Sequence, residues 1–274
     1  MKNFILDAHN DCAIKKHNIN QLKKYYISLE KSNANTISAI WTTELTGNVM
    51  QKVEMKTKMI DIASNLKSPV AIEDFYFATR QNLARLISLK PCYVSLTWNY
   101  NNVLAGGCYD NSGITEFGKI VIKTLEEHNI QIDASHLNEH SFMNLAHITS
   151  KPLFCSHTAF NSVNNHQRNL KDYQLKMIVD SGGLVGLCLV SDFLNGTHHA
   201  NINDIIKHID YFNSRYGIDN LCIGTDFNGT KHLPKGIKNY KNLYLLKYKL
   251  KEKGYTESSL NKLFHDNLYN FLFN

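Results

Sequence analysis

The chain has 274 residues, 43% of them hydrophobic, with a formal net charge of +6. That is enough apolar material for one large α/β domain over residues 1–274, and no Gly/Pro/Ser-rich linker divides it. The modest charge, and the absence of any apolar stretch near the roughly 18 residues of a membrane span, argue against nucleic-acid and membrane partners.

Apolar runs rich in β-branched or aromatic residues recur near 4–9, 37–42, 69–73, 92–98, 130–136, 152–157, 183–190 and 220–226. Helical patterns lie between most of them, at 49–66, 75–89, 115–128, 139–149, 170–181 and 202–215, with two more at 238–253 and 257–272. The lysines of 231–253 alternate with Tyr240, Tyr244 and Tyr248 at helical spacing, which reads as a packed helix with a solvated basic face. Strand–helix alternation implies parallel pairing, and eight such units imply a (β/α)8 TIM barrel, with a doubly wound open sheet as the alternative. The six cysteines show no CxxC pairing, and Cys92, Cys155, Cys188 and Cys222, which lie within apolar runs, read as reduced core thiols. The N-terminus enters the first apolar run without a secretory h-region, so the expected location is the cytoplasm.

A barrel carries its chemistry at the C-terminal ends of its strands. His9 and Asp11 end the first run, where alternation would point both to one side. Alone, His9-Asn10-Asp11 reads better as a cap or turn. Glu73, His136, His157 and Asp226 end the third, fifth, sixth and eighth runs. Six such residues on five strand ends point to a metal-dependent hydrolase with nitrogen and oxygen ligands. His198-His199 read as a solvated loop and His208 as a structural helix residue, while His232 carries no spacing argument.

Several motifs in order resemble the membrane (renal) dipeptidase family of zinc peptidases, family M19, in its bacterial form. They are Asp7-Ala8-His9-Asn10-Asp11, Ile72-Glu73-Asp74, Leu96-Thr97-Trp98-Asn99-Tyr100-Asn101-Asn102, Gly113–Gly118, Ile132–His136, Ser156-His157-Thr158-Ala159, Arg168-Asn169-Leu170 and Gly224–Gly229. The resemblance implies an amidohydrolase-like barrel that hydrolyses dipeptides with water or hydroxide bridging two Zn²⁺, for which Mn²⁺ or Co²⁺ could substitute. It implies that His9, Asp11, Glu73 and Asp226 hold one ion, with Glu73 bridging to a second held by His136 and His157. It further implies that Asp226 relays the proton and that Arg168 pairs with the substrate carboxylate. Asn10, Arg168 and Trp98 are assigned to substrate binding, and Trp98 also to catalysis, since it stands where many relatives carry a histidine. A homodimer is plausible on the same ground. Two other readings stay open: another amidohydrolase-like hydrolase, such as a lactonase or amidase, and a metal-bound member with little peptidase activity.

Overall fold

The structure is a computed structural model describing residues 4–274. In chain order the elements begin β1 (Ile5–Asn10), α1 (Cys12–Lys15), α2 (Ile19–Glu30), β2 (Ala34–Trp41), α3 (Val49–Ser64) and β3 (Val70–Glu73). They continue α4 (Arg80–Ser88), β4 (Tyr93–Ser95), α5 (Glu116–Glu127), β5 (Gln131–Asp133), α6 (Glu139–Ile148), β6 (Phe154–Thr158), α7 (Asp172–Asp180) and β7 (Leu184–Leu187). The last are α8 (Ser191–Asn195), α9 (Ile202–Tyr216), β8 (Leu221–Ile223), α10 (Tyr240–Glu252), α11 (Glu257–Asn261) and α12 (Asn267–Phe273).

The strands form one eight-stranded sheet in the order β1 to β8. A parallel bridge from Asn10 to Phe227 joins the end of β1 to the segment after β8. Sequential order with the first strand returning to the last is a (β/α)8 barrel; an open doubly wound sheet would reverse its strand order at a switch point.

The chain divides into two compact units. The first comprises Met1–Asn10, Lys24–Ile37 and Ser156–Asn274, and so holds β1, β7, β8 and parts of β2 and β6. Its strands are buried along their length, as parallel strands covered on both faces must be. A π-helical turn at Lys262–Asp266 packs on β1 and β8, burying Leu263 and Phe264. The second unit comprises Asp11–Lys23 and Ser38–Cys155. There β2, β3, β4 and β5 pair in register, Ile40 with Ile72, Ile72 with Val94, and Val94 with Ile132. Tyr93 and Phe154 meet edge-on in its core, with ring centres 5.3 Å apart. Helix starts in both units are set by Asn or Thr side chains accepting from exposed backbone N–H groups, as at Asn48, Thr115, Asn138 and Thr256.

Four strands stop three residues short of the ends of their apolar runs, β7 among them at Leu187. β4, β5 and β8 stop at Ser95, Asp133 and Ile223, so Trp98, His136 and Asp226 lie three residues beyond them, in turns. Asp11 likewise falls outside β1. It precedes α1 with φ −88° and ψ 31°, so strand alternation does not set its direction as expected. Helix α2 occupies a segment without a helical assignment from the sequence, although Leu22, Tyr26 and Leu29 bury one face at helical spacing. Among the described residues all six cysteines are free, and no helix is long and apolar enough to cross a membrane.

His208, on α9, is fully buried. Its Nδ1 accepts from the Phe160 N–H at 3.2 Å, so Nε2 carries the proton and donates to the Leu194 carbonyl at 2.9 Å. A second ring proton would face an N–H donor, and burial pushes the ring's pKa down to about 4. The unfolded chain takes up this proton near pH 6.5, while the folded chain resists until about pH 4. Stability is therefore complete above pH 6.5 and falls across that window, by about 3 kcal/mol for this group. His208→Gln should flatten that arm of the urea-denaturation profile; an unchanged pH slope would show that His208 does not govern it.

Candidate metal centre

In the first unit the end of β1 is built around Asp7, a carboxylate with no solvent exposure. It accepts from the Thr225 N–H at 2.8 Å, the Thr225 hydroxyl at 2.6 Å and the Tyr240 hydroxyl. Burial raises its pKa, opposed by those hydrogen bonds. His9 follows two residues later, and its carbonyl accepts from the Asp226 N–H at 3.2 Å. His9 and His157 lie with ring centres 3.9 Å apart, and Ser156 Oγ sits 2.8 Å from Nδ1 of His157 and 3.5 Å from Nδ1 of His9. A contact at Nδ1 turns Nε2 into the ligand atom of each ring.

Gly224 makes this approach possible, since a Cβ there would lie 1.9 Å from the Ser156 carbonyl oxygen. Asp226 is half-buried with φ 58°, the left-handed region that a β-carbon disfavours. Arg168 is 6% exposed, and its guanidinium donates to the His157 carbonyl at 3.4 Å and lies 5.4 Å from the Phe193 ring. Asn10 is fully buried, donating to the hydroxyls of Tyr25 at 2.8 Å and Tyr240 at 2.7 Å and accepting from Asn228 at 3.0 Å.

The second unit holds Asp11, Glu73, Trp98 and His136, all but Trp98 buried. Asp133 accepts from the N–H and hydroxyl of Ser135 at 3.0 and 2.7 Å, a local turn that delivers His136 with φ 71°. His136 Nε2 is 2.8 Å from Glu73 Oε1, and its Nδ1 is 2.8 Å from Asn99 Oδ1, which also accepts from the Cys108 thiol. Asn99 Oδ1 can only accept, so Nδ1 carries the ring proton. A neutral ring then turns a lone pair on Nε2 toward a carboxylate oxygen at 2.8 Å, an arrangement that needs a second proton or a metal cation between the two. With only nitrogen and oxygen donors, the residues fit a zinc-class ion.

Trp98 lies 6.1 Å from the His136 ring and 5.0 Å from Trp41, whose indole Nε1 is buried with no hydrogen-bond partner among the described residues. A Cβ at Gly107 would sit 2.4 Å from the Trp98 carbonyl, so glycine allows the loop bearing Trp98 and Asn99 to close tightly. Asp74, beside Glu73, has φ 69° and a pKa raised to about 6, chiefly by burial, with Thr43 and Asn102 opposing the shift and the Glu73 charge adding to it.

Sequence reasoning named the ligand-type residues but missed the side chains that orient them. Asp7, Ser156 and Asn99 lay within motifs already in view, but the partnership of Asp7 with Thr225 and Tyr240 depends on residues distant in the chain. Losing a group that orients a metal-binding histidine typically costs 10–100-fold in metal affinity, on the order seen for such partners generally. Ser156→Ala should weaken zinc binding by about that much in a chelator-competition titration; unchanged affinity would relegate Ser156 to packing.

The model of the membrane dipeptidase family, peptidase family M19, matches residues 48–272. A Klebsiella pneumoniae protein, described as an uncharacterized protein in the pqqA 5′ region, is 34% identical over 167 residues, covering 60% of this chain and 61% of its own length. A Rhodobacter sphaeroides metallopeptidase, solved with a phosphinate mimic of the dipeptide L-Ala-D-Ala, superposes with a TM-score of 0.84 at 19% identity, covering 99% of both chains. A structure described as dipeptidase AC, a family M19 metallopeptidase, gives 0.86 at 21% identity, covering 99% of this chain and 98% of its own. Both structures share the barrel. With the family model matching most of its length, the chain belongs to the membrane dipeptidase family, peptidase family M19.

Proposed function

We propose that this protein is a metal-dependent dipeptidase. The observation that carries the reading is the buried Glu73–His136 pair, whose facing carboxylate oxygen and imidazole nitrogen a metal cation would satisfy, in a chain of the M19 family. His9, Asp11, Glu73 and Asp226 would hold one Zn²⁺, and Glu73, His136 and His157 a second. When bound, two such ions supply Lewis-acid activation of a water and of the scissile carbonyl.

The chain's own groups do the rest. Asp226 takes the proton from the attacking water and passes it to the leaving amine nitrogen. Its left-handed backbone is tied to the His9 carbonyl by the N–H bond, which holds the residue beside the end of β1. Arg168 meets the C-terminal carboxylate of the dipeptide with its planar fork. Burial at 6% exposure leaves the guanidinium little water to compete with that partner. Trp98, packed near His136, walls the pocket and offers its indole N–H to the developing oxyanion in place of the family histidine. Asn10 serves substrate binding by holding Tyr25, Tyr240 and Asn228 in place.

Turnover of a dipeptide panel by the zinc-loaded enzyme, compared with lactones, tests the reading; cleavage of lactones in preference to dipeptides would replace it. Asp226→Asn should lower kcat by about 10²–10⁴-fold, the usual reach of a general acid–base, with the fold intact by circular dichroism. Near-normal turnover by that variant would remove Asp226 from the proton relay.

Arg168→Ala should raise KM for dipeptides strongly, because a charge-assisted paired contact is lost. Dipeptide amides, which lack the carboxylate, should be poor substrates for the parent and indifferent to the substitution. Equal cleavage of acids and amides by the parent would rule out this role for Arg168.

A further inference from the structure

A second group of metal-ligand side chains lies elsewhere in the first unit. Asp192, near the start of α8, accepts from both His198, in the loop after α8, and His232, beyond β8. His198 Nδ1 is 2.6 Å from Oδ1 of Asp192, and His232 Nδ1 is 2.9 Å from Oδ2. The two imidazoles lie with centres 3.7 Å apart, and one donor atom from each of the three residues falls within 4.8 Å of the others. His198 and His232 are 34 positions apart in sequence (232 minus 198), so only the fold brings them together.

The backbones of Asp192 and His232 are fixed independently of that contact. The Asp192 carbonyl accepts from Asn164 Nδ2 and from the Gly196 N–H, each at 3.0 Å. The His232 carbonyl accepts from the Ser191 N–H at 2.8 Å, and its own N–H donates to Thr230 at 3.0 Å. The side chains nevertheless face water, at 61% exposure for His198, 42% for His232 and 25% for Asp192, so an ion can enter. Two imidazoles and a carboxylate form a donor set of open zinc-type sites. Ligand bonds of about 2.0–2.2 Å at tetrahedral angles place donors roughly 3.3 Å apart. The Asp192–His198 and Asp192–His232 separations of 2.6 and 2.9 Å would have to widen by roughly 0.7 and 0.4 Å, which exposed side chains can do.

We propose that Asp192, His198 and His232 form a further divalent-metal site for a zinc-class ion, open to solvent and separate from the proposed catalytic ligands. The neighbouring Phe193 lies over Arg168 at 5.4 Å and beside His166 at 4.7 Å. An ion here would brace α8, whose Phe193 packs against Arg168. The alternative occupant of the cluster is a ring proton on each histidine, giving a hydrogen-bonded clamp with no metal.

Equilibrium dialysis against micromolar free Zn²⁺, followed by elemental analysis, separates the two. The parent should hold one zinc per chain more than Asp192→Asn, His198→Ala or His232→Ala, each of which should keep the remaining zinc. His199→Ala, one position along the same exposed loop, should match the parent. Thermal melts in EDTA should coincide for parent and variants, which excludes misfolding as the cause of any loss. Equal zinc content in parent and triad variants, or equal loss in His199→Ala, would overturn the site. Failure of the dipeptidase reading would instead lower the zinc common to all the proteins and leave the difference between them.

Discussion

A buried carboxylate must find donors or cost the fold about 1–3 kcal/mol or more, and Asp7 meets that demand in a way that organises the first unit. Its oxygens are satisfied by Thr225 after β8 and by Tyr240 at the start of α10. The strand that carries His9 and Asn10 is thereby tied to the turn that carries Asp226. Tyr240 is shared, since its hydroxyl also accepts from Asn10, so a displacement at Asp7 reaches both neighbours. The barrel end is rigid because its polar groups must be paired, and the ligand-type residues inherit that rigidity.

The second unit solves the same problem with local turns. Asp133 folds back on Ser135, and Asn99 fixes His136 from the ring nitrogen opposite Glu73. Asp74, His136, Asp226 and Asn228 all take left-handed backbone angles just beyond strand ends. Non-glycine residues in that region store strain of order 1–3 kcal/mol each, and such strain gathers where side chains must be aimed. At Gly224 the constraint is steric instead, since a Cβ there would run into the Ser156 carbonyl.

The proposed outer cluster of Asp192, His198 and His232 contrasts with this interior. Its frame is held by backbone hydrogen bonds, while its donors remain in water. An ion at the proposed outer site would meet bulk water, whereas the proposed inner ligands are largely buried. The same residue types therefore serve different ends according to burial.

Strand–helix alternation and the polar residues closing five of the eight apolar runs were legible in the sequence, because side-chain periodicity is a local property. From these came the barrel, the candidate ligands and the structural role of His208. The sequence could not mark where a strand yields to a turn. Apolar residues such as Ile132 and Ala134 continue the pattern, but the chain leaves the sheet when Asp133 captures Ser135. It also overlooked α2, whose face Leu22–Tyr26–Leu29 was present but interrupted by lysines and tyrosines. Asp7 with Tyr240, and His198 with His232, are pairings between residues far apart in the chain. Sequence alone determined which chemistry was available at each strand end; tertiary structure decided which donor meets which acceptor, because that depends on closure of the sheet and on the burial that makes each hydrogen bond obligatory.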